Sequence, residues 1–502
     1  MPLQVLATLA GSSVDARDAA VEVSGITLDS RLVAPGDLYV ALPGQRHHGA
    51  TFGAAAAEAG AVAVLTDPAG LDLATRAGLP VLVADAVRAV MAQVAAEVYG
   101  RPAERLTMFG ITGTNGKTTT SFLLDAALRA AGHRTGNVGT IGFLLDGRPL
   151  DAARTTVTTP ESPELQALLA HLAEAGADAV VMEVSSHALV LGRVDAIDFD
   201  VAAFTNFGRD HLDFHGDEES YFAAKAQLFT PARTRRVVLN LDDPRGRQLL
   251  AQVRRTSELE VRTVSLLDDG ADYRACSTRL LPDGETAVVA IAGGREVTFT
   301  LRLPGDFNVR NALTALAMVE LAGFDVTAAA AGLGGATVPG RMERVPMPAG
   351  APAVVVDFAH TPQAVAAALR ALHGRRCVVV LGCGGDRDPD KRAPMGAAAA
   401  ADAAVVVVTD DNPRSEDPAA IREIVLRGAR AEAGLRGARV IDGGDRRSAI
   451  RQALALAGPD DVVAVLGKGH ETGQQVGAQV LPFADAAVVR EEWDVLSREG
   501  PS

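Results

Sequence analysis

Short apolar runs rich in Val, Ile and Ala alternate with Ala-rich stretches along most of this chain, and the runs repeatedly end in polar clusters. The run 106–111 leads into 112–120, 179–182 into 183–187, 201–204 into 205–215 and 237–239 into 240–243. Further on, 354–356 leads into 357–362, 378–381 into 382–392 and 462–466 into 467–471, while 404–409 ends in a turn at Asn412-Pro413. Runs of this length, bounded by glycine, proline and polar residues, predict buried strands. Helices are predicted over 85–99 and 118–131, with an Ala-rich helix running into a Gly-rich stretch over 312–335. Such alternation predicts an α/β chain with largely parallel sheets, and no tandem repeat interrupts it. Open parallel sheets bind ligands outside the carboxyl ends of their strands, which is where these clusters fall. Loops after strands are polar in any protein, so one cluster would carry little; seven in succession predict sites in more than one part of the chain.

Arg101-Pro102 follows the first long helix, and Val338-Pro339-Gly340 follows the Ala/Gly-rich stretch. These positions predict three domains, 1–101, 102–338 and 339–502, in line with the 502-residue length. Hydrophobic residues make up 48% of the chain but aromatics only 4%, so Ala, Val and Leu must fill the cores. A formal charge of -14 argues against a nucleic-acid surface. Three scattered cysteines, Cys276, Cys377 and Cys383, give neither a disulfide framework nor metal-binding spacing, which suits a reducing cytoplasm. No signal peptide is expected at the N-terminus, and the Ala/Val-rich stretch 396–408 is too short to span a bilayer.

Two clusters point to chemistry. Thr112-Gly113-Thr114-Asn115-Gly116-Lys117-Thr118-Thr119 joins a strand to a helix. Such a turn lets backbone N–H groups and a helix N-terminus wrap phosphates, with Lys117 reaching the β/γ-phosphates and Thr118 ligating Mg²⁺. The strict motif wants glycine where this chain has Ile111. The second cluster, Asp411-Asn412-Pro413-Arg414, sets a carboxylate and a guanidinium on one turn, able together to hold a molecule carrying both ammonium and carboxylate. Read alone, a charged surface turn explains this tetrapeptide equally well.

The Gly113–Thr118 sequence G-T-N-G-K-T resembles the phosphate-loop variant of the Mur ligase and folylpolyglutamate synthetase superfamily. Further matching motifs follow in family order: M-E-V-S-S-H at 182–187, T-N-F-G-R-D-H-L-D-F-H at 205–215, Y-F-A-A-K at 221–225 and N-L-D-D at 240–243. Then come G-D-F-N-V-R-N-A at 305–312, P-G-R-M-E at 339–343, D-F-A-H-T-P at 357–362, G-C-G-G-D-R-D-P-D-K-R at 382–392, D-N-P-R and G-K-G-H-E at 467–471. The resemblance implies a central P-loop mononucleotide-binding sheet and a C-terminal Rossmann-like domain. It also implies an ATP- and Mg²⁺-dependent amide ligase acting through an acyl phosphate in peptidoglycan precursor synthesis. D-N-P-R resembles the members that add meso-diaminopimelate to UDP-N-acetylmuramoyl-L-alanyl-D-glutamate; those adding lysine carry a different tetrapeptide. A lysine-adding relative, a folylpolyglutamate synthetase and a non-catalytic nucleotide-binding scaffold remain the alternatives. The expected partners are small-molecule substrates, with no nucleic acid and no membrane insertion, and the chain is expected to be a monomer.

Residue roles follow from the same resemblance. Gly113 to Thr119, Asn308 and Asn311 would hold ATP, and Arg341 with Asp357 would close onto it from the C-terminal domain. Thr118, Glu183 and His211 would serve the metal. Without the family, Glu183 reads as a capping carboxylate and His211 as a polar loop residue. Lys117, Glu183, His211 and Lys225 would form the catalytic set, with Lys225 matching a lysine that CO₂ carbamylates in the family. Leu28, Ser30, Gln45, Arg46 and His47 resemble the uridine-diphosphate region, and Thr158, Thr159, Ser185 and Arg193 the residues holding the muramoyl-dipeptide tail. Some relatives carry a polar residue at the position of Leu191. Arg387, Asp411, Asn412, Pro413, Arg414, Gly467 and Glu471 match the diaminopimelate pocket. There Arg414, helped by Arg387 and Asn412, would take a carboxylate, and Glu471 with the Gly467 carbonyl an ammonium.

Overall fold

The computed structural model describes residues 1–44, 46–150, 157–256, 258–281 and 285–499. Gln45, one of the residues expected to face uridine diphosphate, lies outside them. The strands predicted from apolar runs are present, and among the described residues they build three large sheets in succession. The first is four-stranded and parallel, in chain order from Gly25–Thr27 to Val81–Val83. Helix Val87–Val98 packs against it, burying Met91, Val94 and Ala95 with Leu38 and Leu65.

The second sheet has a parallel centre made of Thr135–Gly139, Ala179–Glu183, Thr107–Thr112, Phe199–Phe204, Thr234–Asn240 and Glu260–Ser265. Both of its flanks depart from the parallel expectation. One ends in the antiparallel strands Tyr273–Leu280, Thr286–Ala292 and Arg295–Leu301, and the other in the hairpin-like Gly142–Leu145 and Arg148–Pro149. Glycine and aspartate turns at Asp146-Gly147 and Gly293-Gly294 permit these reversals, since Asp146 and all three glycines adopt positive φ. Helix Lys117–Ala130 crosses this sheet beside Asp306–Leu321, which buries one continuous apolar face. The Ala-rich stretch is two helices, Asp306–Leu321 and Val326–Leu333. They break at Gly323, whose φ of 83° lets the first helix end.

The third sheet runs in the order Glu343–Val345, Ala353–Asp357, Val462–Leu466, Cys377–Cys383, Val405–Asp410, Arg439–Gly444. All of its pairs are parallel except the first. The strand Val462–Leu466, last in sequence, sits between the second and third strands of the sheet. The loops after Asp357, Leu466, Cys383 and Asp410 therefore open side by side at one end. Among the described residues no helix is long and apolar enough to cross a membrane.

Candidate active site

The carboxyl ends of the second and third sheets face each other across a cavity of about 1520 Å³. Thr114 to Thr119 and Glu183 line one wall; Arg341, Asp357, Arg387, Asn412, Arg414 and Glu471 line the other. Contacts across it tie the halves together: His360 Nε2 lies 3.9 Å from Asp210 Oδ2, and Arg209 lies 3.6 Å from Asp390.

The phosphate loop is braced from outside its own sequence. Thr205 Oγ1 and Asn206 Nδ2 donate to the Asn115 carbonyl at 2.6 and 2.9 Å, and Asn206 Oδ1 accepts from the Asn115 N–H at 2.9 Å. Gly116, at φ 88°, turns the chain into the helix and sits against Asn311, where a Cβ would lie 2.8 Å from Oδ1. Asn311 Nδ2 in turn donates to Asn308 Oδ1 at 3.3 Å, and Asn308 Nδ2 to the Pro304 carbonyl at 2.8 Å. Asn311 thus faces the cavity while Asn308 is buried beneath it.

Lys117 Nζ donates to the carbonyls of Gly113 and Thr114 at 2.8 and 3.0 Å, and Lys225 Nζ donates to the same Gly113 oxygen at 2.8 Å. Two lysines thus converge on one carbonyl. Lys225 is buried over the Tyr221 ring, 4.4 Å from its centroid, and has no carboxylate within ion-pair distance among the described residues. Burial, aided by the charge of Lys117, pushes its pKa well down. A free amine in such a place can react with CO₂, which fits the carbamylation expected at Lys225.

Glu183, at the end of its strand, accepts from Thr118 Oγ1 at 2.9 Å and from the N–H and hydroxyl of Thr140 at 2.8 and 3.0 Å. A hydroxyl and a carboxylate in contact at the phosphate loop form an oxygen donor set suited to Mg²⁺. That ion takes one or two carboxylates and completes its shell with phosphates and water. Among the described residues no group of three or more His, Cys, Asp or Glu is placed to hold a metal ion by itself. His211 also lines the cavity, at φ 52°, 3.6 Å from Asp210 and edge-on to His187. Desolvation in this cluster pushes its pKa down to about 4 against the pull of Asp210, leaving a neutral imidazole.

The expected substrate-tail residues separate into layers. Thr158 and Ser185 line the cavity, whereas Thr159 is buried behind Ser185, accepting its N–H at 3.1 Å and donating to the Glu183 carbonyl at 2.8 Å. Arg193 also lines the cavity but is held by Glu161 at 2.8 Å, and Glu161 is shared with Arg88 of the N-terminal helix. In the first sheet Leu28 and Ser30 follow the strand Gly25–Thr27, and exposed Arg46 and His47 follow Asp37–Ala41. None of these four lines the central cavity. The neighbouring His48 is the built histidine, set between Asp67 at 3.0 Å and the Ala50 N–H at 3.1 Å.

At the Asp411–Arg414 turn the structure differs from the side-by-side display expected from sequence. Asp411 turns inward: Oδ1 caps the Asn412 N–H at 2.8 Å and Oδ2 faces buried Arg446 at 3.9 Å. Arg414, at φ 51°, swings the other way and donates to the Gly385 carbonyl at 2.6 Å. Pro413 is buried between them. Gly467, at φ 114°, leaves room for Asp411, since a Cβ there would lie 2.6 Å from Oδ2. Arg387 is exposed at the cavity edge. The sequence reading missed Lys468, fully buried, which donates to Asn412 Oδ1, Glu471 Oε2 and the Gly473 carbonyl at 3.1, 2.8 and 2.7 Å. A lysine inside an otherwise glycine-rich loop was the available signal. It also missed Arg446, whose ion pair with Asp485 is wholly buried and separated by 39 residues, leaving no local pattern to find.

Models of the Mur ligase family match three consecutive stretches: the catalytic domain over 22–101, the middle domain over 111–319 and the glutamate ligase domain over 340–469. The UDP-N-acetylmuramoyl-L-alanyl-D-glutamate--2,6-diaminopimelate ligase of Streptomyces avermitilis is 48% identical over 500 residues, covering 98% of this chain and 96% of that protein. A solved structure of a protein with the same enzyme name superposes with a TM-score of 0.69 at 31% identity, covering 99% of both chains. The ADP- and AMPPCP-bound folylpolyglutamate synthase of Mycobacterium tuberculosis superposes with a TM-score of 0.60 at 25% identity. It covers 75% of this chain and 91% of that one.

Proposed function

The chain belongs to the Mur ligase family, and on that premise we propose that it is an ATP-dependent ligase that joins meso-diaminopimelate to UDP-N-acetylmuramoyl-L-alanyl-D-glutamate in peptidoglycan precursor synthesis. The observation that carries this reading is the single cavity that joins a phosphate loop on one wall to the Asp411–Arg414 turn on the other. The three domains assigned at 1–101, 102–338 and 339–502 each centre on one of the three sheets. A folylpolyglutamate synthase likeness that leaves a quarter of the chain uncovered favours the UDP-linked substrate over folate. Three cysteines without a disulfide among them, two of them buried, fit a cytoplasmic enzyme.

In this reading the D-glutamyl carboxylate attacks the γ-phosphorus of ATP, the bond to the bridging oxygen breaks and ADP leaves. An amine of diaminopimelate then attacks the acyl carbon of the resulting acyl phosphate and loses a proton. The tetrahedral adduct expels phosphate as the amide forms. The protein supplies position and charge. Lys117 exchanges its two loop carbonyls for phosphate oxygens, which are stronger acceptors. Thr118, Glu183 and His211 would hold Mg²⁺, which neutralises triphosphate charge. Ser185, Thr158 and Arg193 orient the dipeptide tail, with Thr159 and Glu161 fixing their direction. Arg341 lies 3.4 Å from Thr118 Oγ1 and stacks on Phe358 at 4.3 Å, so it reaches the phosphate end from the C-terminal sheet.

The test is phosphate release with ATP, Mg²⁺ and UDP-N-acetylmuramoyl-L-alanyl-D-glutamate, supplied in parallel with meso-diaminopimelate or L-lysine. Turnover with diaminopimelate alone is expected. Turnover with lysine alone would overturn the pocket assignment, and silence with both would overturn the ligase.

A further inference from the structure

Lys468 is 0% exposed and its Nζ has three acceptors within 3.1 Å, one more than a neutral amine has protons for. It is therefore an ammonium, buried directly behind the amino-acid pocket. Its contacts dictate how the pocket is presented. Asn412 Oδ1 is occupied by Lys468 and by the Gln475 N–H at 2.9 Å, so the Asn412 amide must aim its Nδ2 at Glu471 Oε2, 2.8 Å away. Glu471 Oε2 thus accepts from both Lys468 and Asn412. Oε1 accepts no hydrogen bond among the described residues, and Glu471 lines the cavity.

The charges around the pocket sharpen this picture. On the three loops that surround it, the cations lining the cavity are Arg387, Lys391 and Arg414, and the anions are Asp388, Asp411 and Glu471. These balance. Behind Asp411, Arg446 balances Asp485. Lys468 adds a buried cation directly against Glu471, 2.8 Å from its Oε2.

We propose that Lys468 is the positioning residue that sets amino-acid specificity: it spends the charge of Glu471 and leaves a pocket hostile to a ligand end that carries ammonium without carboxylate. Diaminopimelate brings its own carboxylate to Arg414 in the same lining, so its distal ammonium needs only the directed hydrogen bond to Glu471 Oε1. Lysine brings a bare cation toward a carboxylate that Lys468 already neutralises. This inference rests on the diaminopimelate reading above, and it adds a repulsive element to the attraction supplied by Arg414.

The experiment compares kcat/KM for meso-diaminopimelate and for L-lysine in the wild type, Lys468→Met and Lys468→Arg, with thermal melts as the folding control. In Lys468→Met the diaminopimelate-to-lysine ratio is expected to fall by about tenfold or more, the size of one partly screened unit charge at an effective dielectric of about 20. Lys468→Arg keeps the charge and is expected to keep the wild-type ratio. Equal loss with both substrates, leaving the ratio unchanged, would mean that Lys468 is merely structural and would overturn the proposal. If Lys468→Met does not fold, Glu471→Gln decides: it leaves Lys468 unopposed, so the ratio must rise, and a ratio that stays or falls overturns the proposal. A wild type that prefers lysine refutes the diaminopimelate reading itself, whatever the variants do.

Discussion

Gly340→Ala tests whether the linker between the second and third sheets is locked to the amino-acid loop. Gly340 has φ 63° and crosses the Gly467–Glu471 loop so closely that an added Cβ would overlap the His470 nitrogen and lie 2.7 Å from the Gly469 Cα. The Phe358 N–H also donates to the Gly340 carbonyl at 2.9 Å, pinning the crossing from below. An L side chain at this φ costs about 1–2 kcal/mol. The overlap is with backbone, which cannot rotate away, so overpacking adds about 1–3 kcal/mol. A total of about 2–5 kcal/mol is expected, read as a lower urea midpoint for the C-terminal unit. Gly437→Ala separates the two contributions: Gly437 has φ 82° at a helix end and nothing within 4 Å of its added Cβ, so it pays the backbone cost alone. Arg341 follows Gly340 directly, and a shift of about 1 Å in a positioning group can cost about a hundredfold in rate. Gly340→Ala should therefore lower kcat by about that factor while Gly437→Ala leaves it near wild type. Equal effects of the two variants, or wild-type turnover and stability in Gly340→Ala, would refute the locked crossing.

Asp485→Ala strips the partner from fully buried Arg446 and should destabilise by about 3–5 kcal/mol in chemical unfolding, whereas Arg446→Met with Asp485→Leu should cost less than either single change; additive losses would argue against the pair. Arg414→Ala should lower kcat/KM for diaminopimelate by about 10²-fold or more while leaving ATP binding by calorimetry unchanged; intact diaminopimelate kinetics would remove Arg414 from the pocket. For Lys225, burial first and Lys117 second lower the folded pKa, so the unfolded chain binds more protons below the unperturbed value of about 10.4. The stability this group contributes is full above that value and is lost as pH falls toward the folded one. In CO₂-free buffer the wild type should gain stability over Lys225→Met as pH rises from 7 to 10, and a flat difference would refute a depressed amine. With ¹³C-bicarbonate restored, a carbamate resonance should appear in the wild type and be missing from Lys225→Met.

What the sequence made legible and what it hid divide along chain separation. The phosphate loop could be read because strand, turn and helix are contiguous, and the parallel strands because each is a short apolar run with its own punctuation. The antiparallel edge at Tyr273–Leu301 went unread although 287–292 is an apolar run, because that run ends in a glycine turn with no polar cluster after it and its two partner strands are largely exposed. The Asp411–Arg414 turn does line the cavity, yet Asp411 points away from Arg414 because Arg446 and Gly467, 35 and 56 residues downstream, decide its direction. Lys468 shows the same limit more sharply: its sequence neighbours are glycines, and its acceptors come from two loops that only the sheet order brings together. That order matters for chemistry as well. Inserting Val462–Leu466 between earlier strands places the loop that carries Lys468 and Glu471 directly against Gly340, the residue before Arg341. One stretch of backbone therefore shapes the amino-acid pocket and supports the arginine that reaches the phosphate loop, so a change made to select a different amino acid should also be felt at the phosphate end.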